Sequence, residues 1–249
     1  MENMKNNELM RIKNKFKSID LSQYWGDDFD VRFYLISKFS TIKNKKILDV
    51  GGGSGIITSE FDKSNFTVNL DISFDDLKKC KKLDNKIKVI NGSMNNICFK
   101  NNCFDYVICA NLLEEAKMID IQNENVMKGK IDEFPTITLV LEELKKVLKP
   151  NGILFLTTPN NEYYKSKKLT YYELKMHLEK SFKNIDLKLY NPYPRLHSKN
   201  RKLNMANIIP KLLNKFCSRE NIIQKKLIKK DNEISKYSVS FFVKIINIS

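Results

Sequence analysis

Four of the eight glycines fall within five residues, Gly51-Gly52-Gly53-Ser54-Gly55, directly after the apolar string Ile47-Leu48-Asp49-Val50. Glycines between a buried strand and a helix let the backbone turn sharply. They also let a ligand approach main-chain N–H groups. The spacing selects the ligand. A dinucleotide fingerprint starting at Gly51 needs glycine at position 56, where Ile56 stands. A Walker loop needs Gly-Lys-Ser/Thr, and the string has no lysine. What fits is Asp-x-Gly-x-Gly-x-Gly, carried by Asp49, Gly51, Gly53 and Gly55. Twenty residues after Gly51 the next apolar string ends in Asp71, and a carboxylate there accepts both hydroxyls of a ribose.

These residues need a sheet to hold them. Apolar strand-like runs alternate with helix-period segments, the pattern of a mainly parallel sheet. The expected strands are Lys46–Val50, Phe66–Ile72, Lys86–Asn91, Phe104–Ala110, Gly152–Thr158, Ile185–Tyr190 and Ser238–Ile246. The expected helices are Val31–Phe39, Ile56–Phe61, Phe74–Leu83, Thr136–Leu148 and Tyr171–Phe182. In Thr136–Leu148 the residues Leu139, Leu141, Leu144, Val147 and Leu148 fall near one face, and Lys149-Pro150-Asn151-Gly152 reads as a stop. Residues 111–135 and 191–236 fit no alternation and read as long connections.

With those elements in place the chain resembles the class I S-adenosylmethionine-dependent methyltransferases, and most closely their small-molecule, methyltransferase-11-like branch. ILDVGGGSG is similar to the family's first motif, and Val68-Asn69-Leu70-Asp71 to its ribose-binding strand end. Phe104-Asp105-Tyr106-Val107-Ile108 resembles the fourth-strand motif, and Leu144 to Gly152 (LKKVLKPNG) the helix-to-fifth-strand signature. The resemblance runs from about Ile47 to Phe182 and includes the last strand. It implies a Rossmann-like α/β fold: seven strands, mostly parallel, the last antiparallel, with helices on both faces. It implies S-adenosyl-L-methionine as cofactor. The glycine loop would cradle its methionine part, with Asp49 holding the loop near the ammonium group. Asp71 would bind the ribose, with Ile72 against the adenine. Where the family often has an acid facing the adenine, this chain has Ser93, whose hydroxyl can accept the same hydrogen bond, and Met94 would cover the ring.

The acceptor side is less marked, because displacement at a sulfonium requires positioning and exclusion of water more than any fixed catalytic residue. No catalytic base is assigned. Asn111, at the carboxyl end of the fourth strand, is expected in the site. Glu115 stands where relatives often have histidine. It would act as a base only with a raised pKa, and Glu114 and Glu115 read more simply as helix N-terminal acids. Tyr24 and Trp25 are placed either as a lid over the cofactor or as apolar cover for the sheet. His197 is a candidate for reaching substrate, whereas His177 reads as structural. Asn191-Pro192-Tyr193-Pro194 lies after the sixth strand and reads as a turn, not an amino-methyltransferase motif. The five cysteines lack CxxC spacing and read as reduced, small hydrophobes; no metal site is expected.

The net charge of +15 is unevenly spread. Residues 1–160 carry a net +2 and residues 161–249 a net +13, concentrated in 195–230 with 11 basic side chains against Glu220. Only five of the 44 basic residues are arginine, the residue that makes bidentate phosphate and guanine contacts. The chain therefore divides into a 1–40 helical lid, a 41–190 cofactor-binding core, a 191–236 basic helical insertion acting as lid or substrate cap, and a 237–249 last strand. The insertion's apolar stripe (Ile208, Ile209, Leu212, Leu213, Phe216) flanked by lysines has the composition of a membrane-surface helix over 207–230. Residues 195–236 offer one base-stacking aromatic, Phe216, which disfavours RNA. The expected function is methyl transfer to an O, N or C atom of a small-molecule or lipid-like acceptor. An RNA methyltransferase and a non-catalytic cofactor-binding protein of the same fold are the alternatives. Residues 1–20 lack an apolar signal core and no run reaches about 18 apolar residues, so a soluble, cytoplasmic protein is expected.

Overall fold

The computed structural model describes residues 35–36, 39–122, 134–159, 169–190 and 240–247, with backbone alone for 188–190 and 240–242. The expected site residues Tyr24, Trp25 and His197, most of the 1–40 lid and the whole 191–236 insertion lie outside them.

Seven strands form one sheet: β1 (Lys46–Val50), β2 (Phe66–Asp71), β3 (Lys88–Asn91), β4 (Phe104–Ala110), β5 (Leu148–Pro159), β6 (Ile185–Tyr190) and β7 (Ser240–Ile246). Their order is β3-β2-β1-β4-β5-β7-β6. The β1–β2, β1–β4, β2–β3 and β4–β5 pairs are parallel, whereas β7 runs antiparallel to both β5 and β6. This is the expected α/β sheet, and the order reverses at β1. Both neighbouring strands, β2 and β4, therefore send their connections away from the carboxyl end of β1, opening a crevice there.

Four helices are described: α1 (Phe74–Leu83), α2 (Leu113–Gln122), α3 (Pro135–Val147) and α4 (Tyr171–Ser181). Their ends follow from local chemistry. Ser73 caps α1 by accepting from the Asp76 N–H at 3.3 Å, and Lys81 and Lys82 sit in the last turn, where the helix dipole favours cations. Thr170 and Glu173 form a reciprocal capping box at the start of α4. Pro135 occupies the first turn of α3, where its missing N–H has no partner to lose.

The sheet separates two apolar clusters. On one side α2, α3 and α4 cover Leu48, Val50, Val68, Leu70 and Val107. On the other, Leu35, Ile36 and Phe39 pack with Ile47, Ile56, Phe61 and Ile108, and the Phe39 ring lies 5.1 Å from that of Phe61 and 4.9 Å from that of Phe155. Asn69 and Asp71 alternate with Val68 and Leu70, so β2 presents its polar side chains to the second face.

Four local expectations are corrected. The segment after the glycine loop is only a single 3-10 turn, Thr58–Glu60, rather than a helix over Ile56–Phe61. The connection 111–135 contains α2, whose buried residues are Leu113, Ala116, Lys117 and Asp120. Two of those four are charged, so no apolar period marked the helix. In α3 the buried face is Ile137, Val140, Leu141, Leu144 and Val147, and Leu139 is 48% exposed. Finally, Lys149–Gly152 is not a break but the start of β5. The strand bulges between Phe104 and Tyr106 of its partner β4, with Asn151 in the left-handed region at φ 60. Asn247 fastens this bend: its side chain donates to the carbonyls of Leu148 (3.2 Å) and Lys149 (3.1 Å).

Candidate functional site

The glycine loop leaves β1 at Val50 and is fixed by main-chain bonds at both ends. Gly51 N–H continues the ladder to the Leu70 carbonyl at 2.8 Å, and Gly55 N–H closes a turn on Gly52 at 3.0 Å. Gly51, Gly53 and Gly55 take φ of 72, 53 and 75. The centre of the loop is held by β2. Asp71 Oδ2 accepts from the Gly53 N–H at 2.8 Å, and Asn69 Nδ2 donates to the Gly53 carbonyl at 2.9 Å. The other Asp71 oxygen accepts from the Ser73 N–H at 2.8 Å.

At Gly53 a side chain would enter open space, with Asp71 Oδ2, 4.0 Å away, the only near neighbour. At Gly55 it would collide with the Cys80 sulfur, and at Gly51 with Leu112 at 2.8 Å. The loop is therefore packed from below by β2, α1 and the residue after Asn111, and open above its middle glycine. Asp71 spends one lone pair of each oxygen on the backbone. Its remaining lone pairs can accept two ribose hydroxyls. Ile72, the next residue, is 78% exposed, which presents an apolar surface beside that carboxylate. Loop, acid and apolar neighbour are thus compatible with a nucleoside carrying an extended polar tail.

The carboxyl ends of the adjacent strands complete the rim. Asn91 donates to the carbonyls of Asp71 (3.1 Å) and Ile72 (2.9 Å), so the end of β3 pins the end of β2. Ser93 opens a turn in which its hydroxyl accepts from the Asn95 N–H at 3.2 Å. Met94 packs against the core. That turn is anchored further on, where Glu143 of α3 accepts from the Ile97 N–H at 2.7 Å. At the end of β4, Asn111 adopts φ 53, and its side-chain oxygen accepts from the Thr157 hydroxyl at 3.0 Å.

The sheet brings Asp49, Gly51, Gly53, Gly55, Asp71, Ile72, Ser93, Met94 and Asn111 to the carboxyl ends of four neighbouring strands, β3-β2-β1-β4. Glu115 is placed differently: it is exposed in the first turn of α2, and Glu114 is the acid that meets the sheet, accepting from the buried Thr158 hydroxyl at 3.1 Å. His177 is buried between helices with Nδ1 3.0 Å from the Thr138 hydroxyl, a structural position. Burial pushes the Cys109 thiol far up, with Glu114 and Asp49 adding to the effect, so it is an inert part of the core. Among the described residues no cluster of three His, Cys, Asp or Glu side chains could hold a metal. Gly52, Asn69, Asn91 and Thr157 were not singled out from the sequence. Only Asn69 carried a signal, as an amide inside an otherwise apolar strand.

A family model described as a methyltransferase domain matches residues 42–231. The chain belongs to that methyltransferase family. It is of the class I, S-adenosylmethionine-dependent type, and S-adenosyl-L-methionine is the cofactor that goes with this fold. Over 131 residues the chain is 35% identical to an uncharacterised protein of Methanocaldococcus jannaschii, covering 51% of this chain and 47% of that one. Over 139 residues it is 27% identical to a ubiquinone biosynthesis O-methyltransferase of Hydrogenovibrio crunogenus, covering 53% and 50%. The chain thus spans about half the length of the curated relatives it matches. Among solved structures, a SAM-dependent methyltransferase from Archaeoglobus fulgidus superposes with a TM-score of 0.56 at 16% identity, over 91% of this chain and 97% of that one. The complex between the Haloferax volcanii Trm112 methyltransferase activator and its putative methyltransferase gives 0.55 at 10% identity, over 97% and 98%. At those identities the structures speak for the methyltransferase fold.

Proposed function

We propose that the protein transfers the methyl group of S-adenosylmethionine to an O, N or C atom of a small-molecule or lipid-like acceptor. The observation that carries the cofactor half is the Gly53 peptide. It is gripped by Asp71 and Asn69 from beneath and open above, with two carboxylate lone-pair positions left beside it. The bound cofactor supplies a methyl group activated by its sulfonium. The chain's own task is to bind, orient and exclude water. Asp71 holds the ribose, Ile72 and Met94 flank the adenine, and Ser93 meets its polar edge. Asp49, buried beneath Gly52, favours the cationic end. Asn111, fixed by Thr157, lines the side from which an acceptor approaches.

The acceptor class is supported by the small-molecule branch that the motifs resemble. It is also supported by the partial likeness to an enzyme named for ubiquinone biosynthesis. The composition of the basic 195–230 segment is compatible with lipid or nucleic acid. The test is incubation of the full chain with methyl-labelled cofactor and either a lipid and quinol extract or total RNA. Label in the organic phase supports the proposal; label confined to RNA overturns the acceptor class.

A further inference from the structure

Asn69 is wholly buried, yet it occupies the middle of β2, where its neighbours Val68 and Leu70 are apolar core residues. Burying a primary amide is unfavourable unless it is hydrogen-bonded. Its Nδ2 donates to the carbonyl of Gly53 at 2.9 Å, and the side chain also bonds the Cys80 thiol. The strand register sets Asn69 directly opposite Asp49 on β1, so the two polar side chains lie together under the loop. Gly52 is the residue above them. Unlike Gly51, Gly53 and Gly55, it is not among the residues with positive φ. Its backbone would accept any residue. The space would not: a Cβ there would stand 2.5 Å from Asn69 Oδ1 and 2.7 Å from Asp49 Oδ2. Gly52 is therefore glycine to leave room for the Asn69 amide and the Asp49 carboxylate. The motif spacing, in which Gly51, Gly53 and Gly55 carry the pattern, treats that position as free.

We infer that Asn69 is a positioning residue for the methyl donor: its amide, seated in the room left by Gly52, holds the Gly53 peptide in the left-handed turn whose open face receives the methionine half of the cofactor. Asp71 grips the N–H of the same residue, in the preceding peptide group, and in the proposed function also faces the ribose. Asn69 grips the Gly53 carbonyl from within the protein, where it is wholly buried. Its removal should therefore affect the loop's end of the cofactor and spare the nucleoside end. The inference rests on the cofactor reading above, and the test separates the two.

The experiment is calorimetric titration of the full chain with S-adenosylhomocysteine and, separately, with 5′-methylthioadenosine, which keeps the nucleoside and lacks the amino-acid tail. In Asn69→Ala we expect affinity for S-adenosylhomocysteine to fall about tenfold, the worth of one lost hydrogen bond at a preorganised site, with methylthioadenosine affinity unchanged. Gly52→Ala displaces the same amide and should give the same selective loss. Because it acts partly through Asn69, its effect should be smaller in an Asn69→Ala background than in the wild type. Equal weakening of both ligands, unchanged S-adenosylhomocysteine binding in both variants, or strictly additive effects would overturn the positioning role alone. A wild-type chain that binds neither ligand would contradict the cofactor reading itself, and the positioning role with it.

Discussion

Gly53 is the residue on which the cofactor assignment turns most sharply, because three constraints meet there. Its φ of 53 disfavours a side chain, its peptide is bonded on both sides, and its open face has nothing within 4 Å except Asp71. Gly53→Arg should therefore abolish cofactor binding while the protein still folds. The left-handed backbone costs about 1–2 kcal/mol in a non-glycine residue, so the melting temperature should drop by roughly 2–8 °C. Calorimetry beside a melting curve checks both halves. A second prediction concerns thiols. Cys80 and Cys109 are buried and burial raises both, opposed at Cys80 by the Asn69 amide, whereas Cys98 is exposed. Iodoacetamide should modify Cys98 in the native protein and reach Cys80 and Cys109 only on unfolding, as read by peptide mass spectrometry. At this scale the sequence was legible where spacing and chemistry coincide, as in Asp49, the alternate glycines and Asp71. It was silent on the relation between Gly52 and Asn69, because that coupling is across strands and appears only once β1 and β2 are in register.

At the scale of elements, the strands were readable because buried parallel strands are short apolar runs bounded by turn residues, and all seven were recognised with shifts of a few residues at their ends. Helix α2 was not, because its buried face carries Lys117 and Asp120. Those charges are accounted for by partners far along the chain. Lys117 Nζ lies 2.7 and 2.8 Å from the two Glu173 oxygens and 4.6 Å above the Phe134 ring, and Asp120 accepts from Thr136. Glu173 is at the same time the capping-box acid of α4. The pair therefore ties α2, the helix that follows Asn111, to the start of α4. Breaking a buried ion pair from one side leaves an uncompensated charge. Lys117→Met should cost about 3 kcal/mol in urea unfolding. Adding Lys117→Met to a Glu173→Gln variant should cost less than it does alone. Equal costs in both backgrounds would mean that the pair is not coupled. The α3–β5 junction was misread for a different reason: Pro-Asn-Gly is ordinary turn chemistry, and here the turn is absorbed as a bulge that Asn247 secures from the far end of the chain.

For the whole molecule, the basic excess belongs to residues 161–249 of the sequence, whereas the described side chains of the crevice include the acids Asp49 and Asp71. The carboxylates of the described fold also set its pH response. At Asp84 and Asp105 burial alone would raise the carboxyl, but bonds from Lys63 and the Lys86 N–H, and from Lys149 and the Lys46 N–H, outweigh it and hold each below the usual range. At Asp76 the Lys79 ammonium does the same. A carboxyl depressed in the folded state contributes its full stability above the unfolded value near 3.9 and loses it as pH falls through the folded value. Stability should therefore be flat with respect to these groups near neutrality and fall below about pH 4, which a pH series of urea midpoints would show. The most direct test of the account is titration of S-adenosylmethionine into the full chain and into Asp71→Ala. Asp71 fastens Gly53 and Ser73, and in the proposed function its free lone pairs accept the ribose hydroxyls. One binding event per wild-type chain is expected, with a loss of about 100-fold or more in the variant. No heat of binding in the wild type, or the same affinity in both proteins, would contradict it.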